Sequence, residues 1–296
     1  MDELVAKTQL YRKDIISYVY RLTGSMEEAK DITQDTILRC ISSKESDIKN
    51  IKAWMFKVAT NLSLDFFRSA KNKKEMYIGP WLPEPYIEDE YCFENNIQND
   101  MELDESLSIA LLVLMEKLSS RERIAYILHD LFDFKHKEIA SILETTSQNS
   151  RQLTSRANKK LQSKKSKYTP TVQEHIELTD SFLKALKEGD FEDLRDMFQA
   201  DVSLYSDSGG KANSPRYPLH GDNTYISNFL IKVTRHLFSD STNDVEIKPA
   251  WFNGSLGLIL IENGNIITSY NFEIRDNKIA NIFTLRNPDK LKFFKK

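Results

Sequence analysis

Two cysteines in 296 residues, Cys40 and Cys92, are too few for a disulfide framework or a cysteine-built metal centre, and they point to the cytoplasm. Long apolar runs are also missing. The longest, Ile109–Met115, is far short of the ~20 residues that span a bilayer. The opening Met1-Asp2-Glu3-Leu4 lacks the basic-then-apolar layout of a secretory signal, so no membrane partner is expected. With 9 glycines and 8 prolines the chain is neither collagen-like nor broadly disordered. Its histidines show no metal-ligand spacing, so neither a metal nor another cofactor is expected. An excess of charge is missing too. Forty-one Lys and Arg against 44 Asp and Glu leave −3, which taken alone argues against a polyanionic partner.

Segment by segment the charge reads differently. Residues 1–80 hold 14 basic and 11 acidic side chains; residues 81–105 hold none basic and 9 acidic. Residues 106–168 hold 12 basic and 6 acidic, and residues 169–296 hold 15 and 18. Two basic blocks therefore flank an acidic connector, and this asymmetry is what a nucleic-acid partner would feel. The same boundaries mark changes in pattern.

In residues 1–80, Tyr11, Ile15, Tyr18, Val19 and Leu22 recur at helical spacing, and Gly24 closes that helix. Ser25 with Glu28 forms a capping box for a second helix reaching about Cys40. A third helix is expected to bury Ile51, Trp54, Met55, Val58, Ala59 and Leu62. Trp81-Leu82-Pro83-Glu84-Pro85 must be extended, because each proline disfavours helix in the residue before it. The acidic residues that follow, 84–105, read as a linker. Helical periodicity resumes near Leu107. A short helix over Lys137–Leu143, a break at Glu144-Thr145-Thr146 and a polar helix from Ser147 make a helix-turn-helix layout, with Glu144 where a turn glycine is usual. After Pro170 two helices give way to strands, with Asn263-Gly264 and Asp276-Asn277 as hairpin turns around alternating apolar residues. The expected class is two all-α domains followed by an α+β domain with a curved antiparallel sheet.

Three polar faces could carry chemistry. Gln148, Asn149, Arg151, Gln152, Ser155 and Arg156 on the second helix of the helix-turn-helix are the residue types that reach base edges and phosphates. Asp31, Gln34, Asp35 and Leu38 share one face of the second helix. Lys57, Asn61, Asp65 and Arg68 share one face of the third.

Together these segments are identifiable. Asp31-Ile32-Thr33-Gln34-Asp35, then Ala53–Asn61 with Asp65 and Arg68, resembles region two of bacterial extracytoplasmic-function (ECF) sigma factors, and Ser120–Leu161 resembles their region four. Trp81–Pro85 resembles a motif of the subgroup that carries a fused C-terminal SnoaL-like domain. So do Asp207-Ser208-Gly209-Gly210-Lys211, with Ser208 where that subgroup has glycine, and Asn287-Pro288-Asp289-Lys290-Leu291. The resemblance implies an α+β SnoaL-like cone over residues 169–296. It implies that Asp31, Gln34, Asp35 and Leu38 dock on core RNA polymerase, and that Lys57, Asn61, Asp65 and Arg68, with the loop Ser42–Asn50, meet the minus-ten element. Gln148, Asn149, Arg151, Gln152, Ser155 and Arg156 would read the minus-thirty-five element of promoter DNA. The Trp81–Pro85, Asp207–Lys211 and Asn287–Leu291 motifs would regulate between domains, in place of a separate anti-sigma protein. The acidic linker would thread the polymerase's basic channel.

Two other readings stay open at this stage. One is a helix-turn-helix regulator with a small-molecule sensor behind it. The other is a cyclase- or isomerase-like enzyme with a DNA-binding leader, for which Asp207, Asp222, His220 and His236 are the candidate acids and bases. His220, between Pro218 and Gly221, is expected in a turn, and His236 at a helix end. The reading adopted has no catalytic residue and is not an enzyme; whether the C-terminal domain takes a small-molecule ligand is left open.

Overall fold

A computed structural model of the chain describes residues 2–43, 48, 50–75, 77–87, 104–162, 170–238 and 244–294. Contacts divide it into two units, residues 1–76 with 112–165 and residues 77–111 with 166–296.

The first unit is all helix. It opens with α1 (Asp2–Leu10), α2 (Arg12–Thr23), α3 (Met26–Ser42) and α4 (Ile51–Glu75). Gly24 takes a left-handed φ of 67° and returns its amide to Tyr20 O at 2.7 Å. One residue later the Ser25 hydroxyl accepts from the Glu28 amide. Stop and start signals on adjacent residues therefore make the corner between α2 and α3. On α4 the buried face differs from the expected stripe. Met55 and Ala59 are buried, but Ile51, Trp54, Val58 and Leu62 are only partly so, and Phe56, Thr60 and Ser63 are buried instead. The expectation counted only apolar residues. Thr60 and Ser63 enter the core because their hydroxyls are satisfied, Thr60 by Phe56 O and the Tyr18 phenol at 2.7 Å each, and Ser63 by Ala59 O.

The chain re-enters this unit at Leu112, within α5 (Ile109–Met115). A reciprocal Ser119–Glu122 capping box starts α6 (Ser120–Tyr126), which runs on as one wider π-type turn over Ile127–Leu131, followed by α7 (His136–Ile142) and α8 (Ser147–Gln162). Phe132 and Phe134, just after that turn, meet Tyr18 and Phe56 with ring centroids 4.9–5.7 Å apart. Arg123 Nη1 donates to Leu22 O at 2.6 Å and to Glu116 at 2.9 Å. One core thus serves both halves of the unit, and each large side chain fully buried in it is worth about 1.5–3 kcal/mol.

The second unit is α+β. Its order is α9 (Val172–Glu188), α10 (Phe191–Met197), β1 (Phe198–Asp207), β2 (Leu219–His220), α11 (Asn223–Phe238), β3 (Val245–Phe252), β4 (Ser255–Glu262), β5 (Asn265–Arg275), β6 (Lys278–Leu285) and α12 (Pro288–Leu291). The six strands pair in the order β2-β1-β6-β5-β4-β3. Here the expected antiparallel sheet needs a correction: β1 and β6 run parallel, Leu204 beside Ile282 and Asp207 beside Leu285, so the sheet is mixed. Local patterning shows hairpins but not the partner of a strand that returns after α11 and a whole meander, a connection long enough for a parallel pair. Register shifts interrupt β1, β4 and β5. Asn263-Gly264 and Asp276-Asn277 both have left-handed φ, as two-residue hairpin turns require. A third such turn, Asn253-Gly254, joins β3 to β4. Phe182 and Leu186 of α9 and Ile226 and Leu230 of α11 close on Leu258, Phe272 and other strand residues to form the core. Among the described residues no helix is long and apolar enough to cross a membrane.

Candidate functional site

Helix α3 has two sharply different sides. Ala29, Ile32, Thr33, Thr36, Ile37 and Cys40 are buried, while Asp31, Gln34, Asp35 and Leu38 are exposed along one face. Leu38, 54% exposed, is the apolar member of that face. On α4, Asn61, Asp65 and Arg68 are exposed, and Arg68 pairs with Asp65 at 2.8 Å. Lys57 instead reaches Glu144 Oε1 at 3.1 Å. Most of the Ser42–Asn50 loop, residues 44–47 and 49, lies outside the described residues, as do 88–103 of the acidic linker.

The segment around α7 and α8 is a helix-turn-helix. Glu144 adopts φ 50°, the left-handed conformation a glycine would take at no cost. Ser150, Leu153, Thr154, Ala157 and Leu161 anchor α8, leaving Gln148, Arg151, Gln152, Ser155 and Arg156 exposed. Arg151, Gln152, Ser155 and Arg156 line one shallow depression. Asn149 is placed differently from the rest. Its side chain donates to Thr145 Oγ1 at 2.8 Å and its amide to Thr146 Oγ1, so it braces the turn. Behind the helix, His136 stacks on His129 with centroids 4.3 Å apart and meets Ser150 Oγ at 3.2 Å. Burial, then the neighbouring His129 and Arg151 charges, hold His136 below the usual histidine range.

The motifs at 77–85, 207–211 and 287–291 converge in the second unit. Asp207 is fully buried, and four donors meet its carboxylate. Oδ1 accepts from the Tyr77 phenol at 2.5 Å and the Gly209 amide at 3.0 Å; Oδ2 accepts from the Leu82 amide at 2.8 Å and Lys290 Nζ at 2.7 Å. Lys290, 6% exposed, also donates to Leu82 O and lies 4.4 Å from the Trp81 ring centroid. Leu82 is therefore inserted by its backbone into a buried ion pair, N–H to the acid and C=O to the base. Burial, reinforced by the Asp207 charge and hydrogen bond, pushes the Tyr77 phenol far up, so it stays a donor. Leu82, Pro83, Glu84 and Pro85 are buried; Trp81 is half-buried. Asn287 donates to Tyr77 and caps α12 through the Asp289 amide, and Lys211 pairs with Asp289.

The glycines here are steric necessities. At Gly209 (φ 56°) a Cβ would lie 2.4 Å from Asn287 Nδ2, and at Gly210 (φ 73°) 2.9 Å from Ile78 Cδ1. Ser208, where glycine was expected, is not among the residues with positive φ, so its side chain costs no strain, and its hydroxyl accepts from the Gly210 amide.

Similarity to known proteins agrees with this layout. Residues 8–73 match the family Sigma-70 region 2, and residues 108–161 match Sigma-70, region 4. The chain is 29% identical over 299 aligned residues to ECF RNA polymerase sigma factor SigJ of Mycobacterium tuberculosis, covering 97% of this chain and 92% of that protein. The crystal structure of SigJ superposes with a TM-score of 0.75 at 28% identity, covering 97% of this chain and 98% of that one. The chain belongs to the ECF sigma factors. Another relative, the probable ECF sigma factor SigI of the same organism, is 24% identical over 68% of this chain and 69% of its own length. This protein is accordingly an RNA polymerase sigma factor, whose family binds core polymerase and promoter DNA.

The residues once weighed as catalytic each have a local partner. Asp207 is occupied as described. Asp222 accepts from the Tyr225 amide at the start of α11, and His220 meets Ser203 Oγ at 2.9 Å. His220 lies in the short strand β2 rather than a turn, because its register opposite Ser203 closes the sheet edge. His236 ends α11. Among the described residues no three His, Cys, Asp or Glu are grouped to hold a metal ion.

Sequence reasoning missed two features. His175 is buried and its Nε2–H donates to Leu256 O at 2.8 Å; a lone histidine in an amphipathic helix gives no warning of this. The Asn253-Gly254 turn was signalled plainly by its dipeptide, between Trp251-Phe252 and Leu256.

Proposed function

We propose that this sigma factor is held in check by its own second unit, which grips the segment joining regions two and four at Leu82. The observation that carries this reading is the insertion of the Leu82 peptide between Asp207 and Lys290. A buried ion pair completed by a linker's backbone couples the fold of one unit to the position of that linker. The exposed α3 face of Asp31, Gln34, Asp35 and Leu38 docks on core polymerase. Lys57, Asn61, Asp65 and Arg68 meet the minus-ten element, where trapping an unstacked base costs a few kcal/mol. Gln148, Arg151, Gln152, Ser155 and Arg156 of α8 read the minus-thirty-five element in the major groove; Asn149 supports the turn. Domain roles follow residues 1–80, 81–105, 106–168 and 169–296. The protein acts in the cytoplasm without a cofactor, catalyses no reaction, and needs no separate anti-sigma protein. The local use of Asp207, Asp222 and His220 supports the non-enzymatic part.

Run-off transcription with purified core polymerase tests this. Asp207→Leu with Lys290→Met in the full chain replaces the pair by apolar residues and removes both Leu82 partners. Run-off output should rise several-fold relative to wild type, whereas Asp35→Arg should abolish core binding with folding intact. Unchanged or reduced output from the double variant would overturn this internal restraint.

A further inference from the structure

We propose that the Asn253-Gly254 turn is a clasp that closes the region two–region four linker on itself, and that the clasp must open before both promoter elements are engaged. This rests on the proposed control by the second unit and adds a second grip, at a different place on the linker, to the one at Leu82.

Both ends of the acidic segment are tied to this one turn. On the outgoing side, Asn253 N–H donates to Tyr86 O at 2.8 Å, and Tyr86 N–H donates to Asn253 Oδ1 at 3.2 Å. On the returning side, Asp104 N–H donates to Gly254 O at 2.9 Å, and Asn253 Nδ2 donates to Leu107 O at 3.3 Å. The Asn253 amide thus uses its oxygen on one end of the linker and its nitrogen on the other. An Asn-Gly hairpin needs asparagine only for left-handed backbone, and its side chain is free to face water. Here the side chain is fully buried. Gly254 is equally committed: a Cβ there would lie 2.3 Å from Asp104 O.

The consequence is one of reach. With Tyr86 and Leu107 tied to one turn, the chain path between the two halves of the first unit is shortened to the steps from 76 to Tyr86 and from Leu107 to Leu112. Fifteen residue steps extend to about 50 Å at most. Elements about 25 base pairs apart lie roughly 80 Å apart along B-DNA. Released, the 36 steps from Met76 to Leu112 extend to about 120 Å. The clasped linker is short for the task and the open one ample.

Asn253→Gly in the full chain keeps the turn conformation and removes both side-chain bonds; Asn253→Asp keeps the acceptor for Tyr86 and loses the donor to Leu107. The readouts are amide hydrogen exchange at Tyr86 and Asp104, affinity for core polymerase, and run-off output. For Asn253→Gly, exchange should accelerate on the order of tenfold or more, and core affinity and output should rise several-fold. Asn253→Asp, the milder change should the glycine variant not fold, should fall between it and wild type. Faster exchange with unchanged affinity and output would overturn the clasp as a control element, and so would unchanged exchange. If Asp207→Leu/Lys290→Met alters output while Asn253→Gly does not, the clasp falls and the Leu82 grip stands. The reverse pattern keeps the clasp and removes the grip.

Discussion

At the scale of single residues, Asp207 and Lys290 show why a buried pair has to be tested two ways. The carboxylate has four donors and no exposure, so removing its charge alone leaves Lys290 as an uncompensated buried cation. Asp207→Asn should therefore destabilise the second unit by about 3–5 kcal/mol in a chemical-denaturation measurement. Asp207→Leu with Lys290→Met leaves no uncompensated charge, so its cost is that of the Leu82, Tyr77 and Gly209 polar groups left without these partners, about 1–3 kcal/mol for each that finds no other. An Asp207→Asn chain as stable as wild type would mean that the pair is not the structural lock that its burial suggests. Lys57 with Glu144 is a different kind of pair. Both ends are substantially exposed, its worth is about 0–1 kcal/mol, and DNA phosphate could replace Glu144 at little cost.

At the scale of elements, α9 on β4 carries a titratable joint. His175 is buried with Nε2–H on Leu256 O, and burial lowers its proton affinity below the ordinary histidine value. The neutral ring is then favoured in the folded state. Below about pH 6.5 the unfolded chain takes up a proton that the folded chain resists, so stability is lost as pH falls. The second unit's melting temperature should drop between pH 7 and pH 5, with a slope of at most about 1.4 kcal/mol per pH unit from this one group. His175→Gln, which retains a donor, should flatten the profile; an equally steep profile in the variant would place the titration elsewhere.

Elements also show what could be read without coordinates. The Gly24/Ser25 corner, the helix-turn-helix and all three hairpin turns, the overlooked Asn253-Gly254 included, were legible, because each is written in two to four adjacent residues with a local physical reason. The exposed face of α3 was legible because its buried side has strict helical periodicity. The face of α4 was not, since Thr60 and Ser63 are core residues only by virtue of hydrogen bonds to Tyr18, Phe56 and Ala59. The parallel pairing of β1 with β6 was hidden for the same reason that the Leu82 and Asn253 contacts were. All join positions 75 or more residues apart, and periodicity carries no information at that range.

At the scale of the whole molecule, a net charge of −3 conceals a basic helix-turn-helix segment, so free DNA should be bound weakly and through phosphates. The full chain without polymerase should bind a promoter duplex with an affinity that falls steeply with salt. Arg151→Ala and Arg156→Ala separate the two ways an arginine on α8 can act. A phosphate contact, once lost, lowers the log–log salt slope by about 0.9 and weakens all sequences alike. A base contact, once lost, costs about 1–3 kcal/mol at one position of the minus-thirty-five element and leaves the slope nearly unchanged. Titrations of promoter and scrambled duplexes at several salt concentrations distinguish them, first with the free chain and then with the polymerase complex. If neither variant alters slope or discrimination in either setting, α8 is not the reading helix, and the DNA-facing surface must be sought on another part of the first unit.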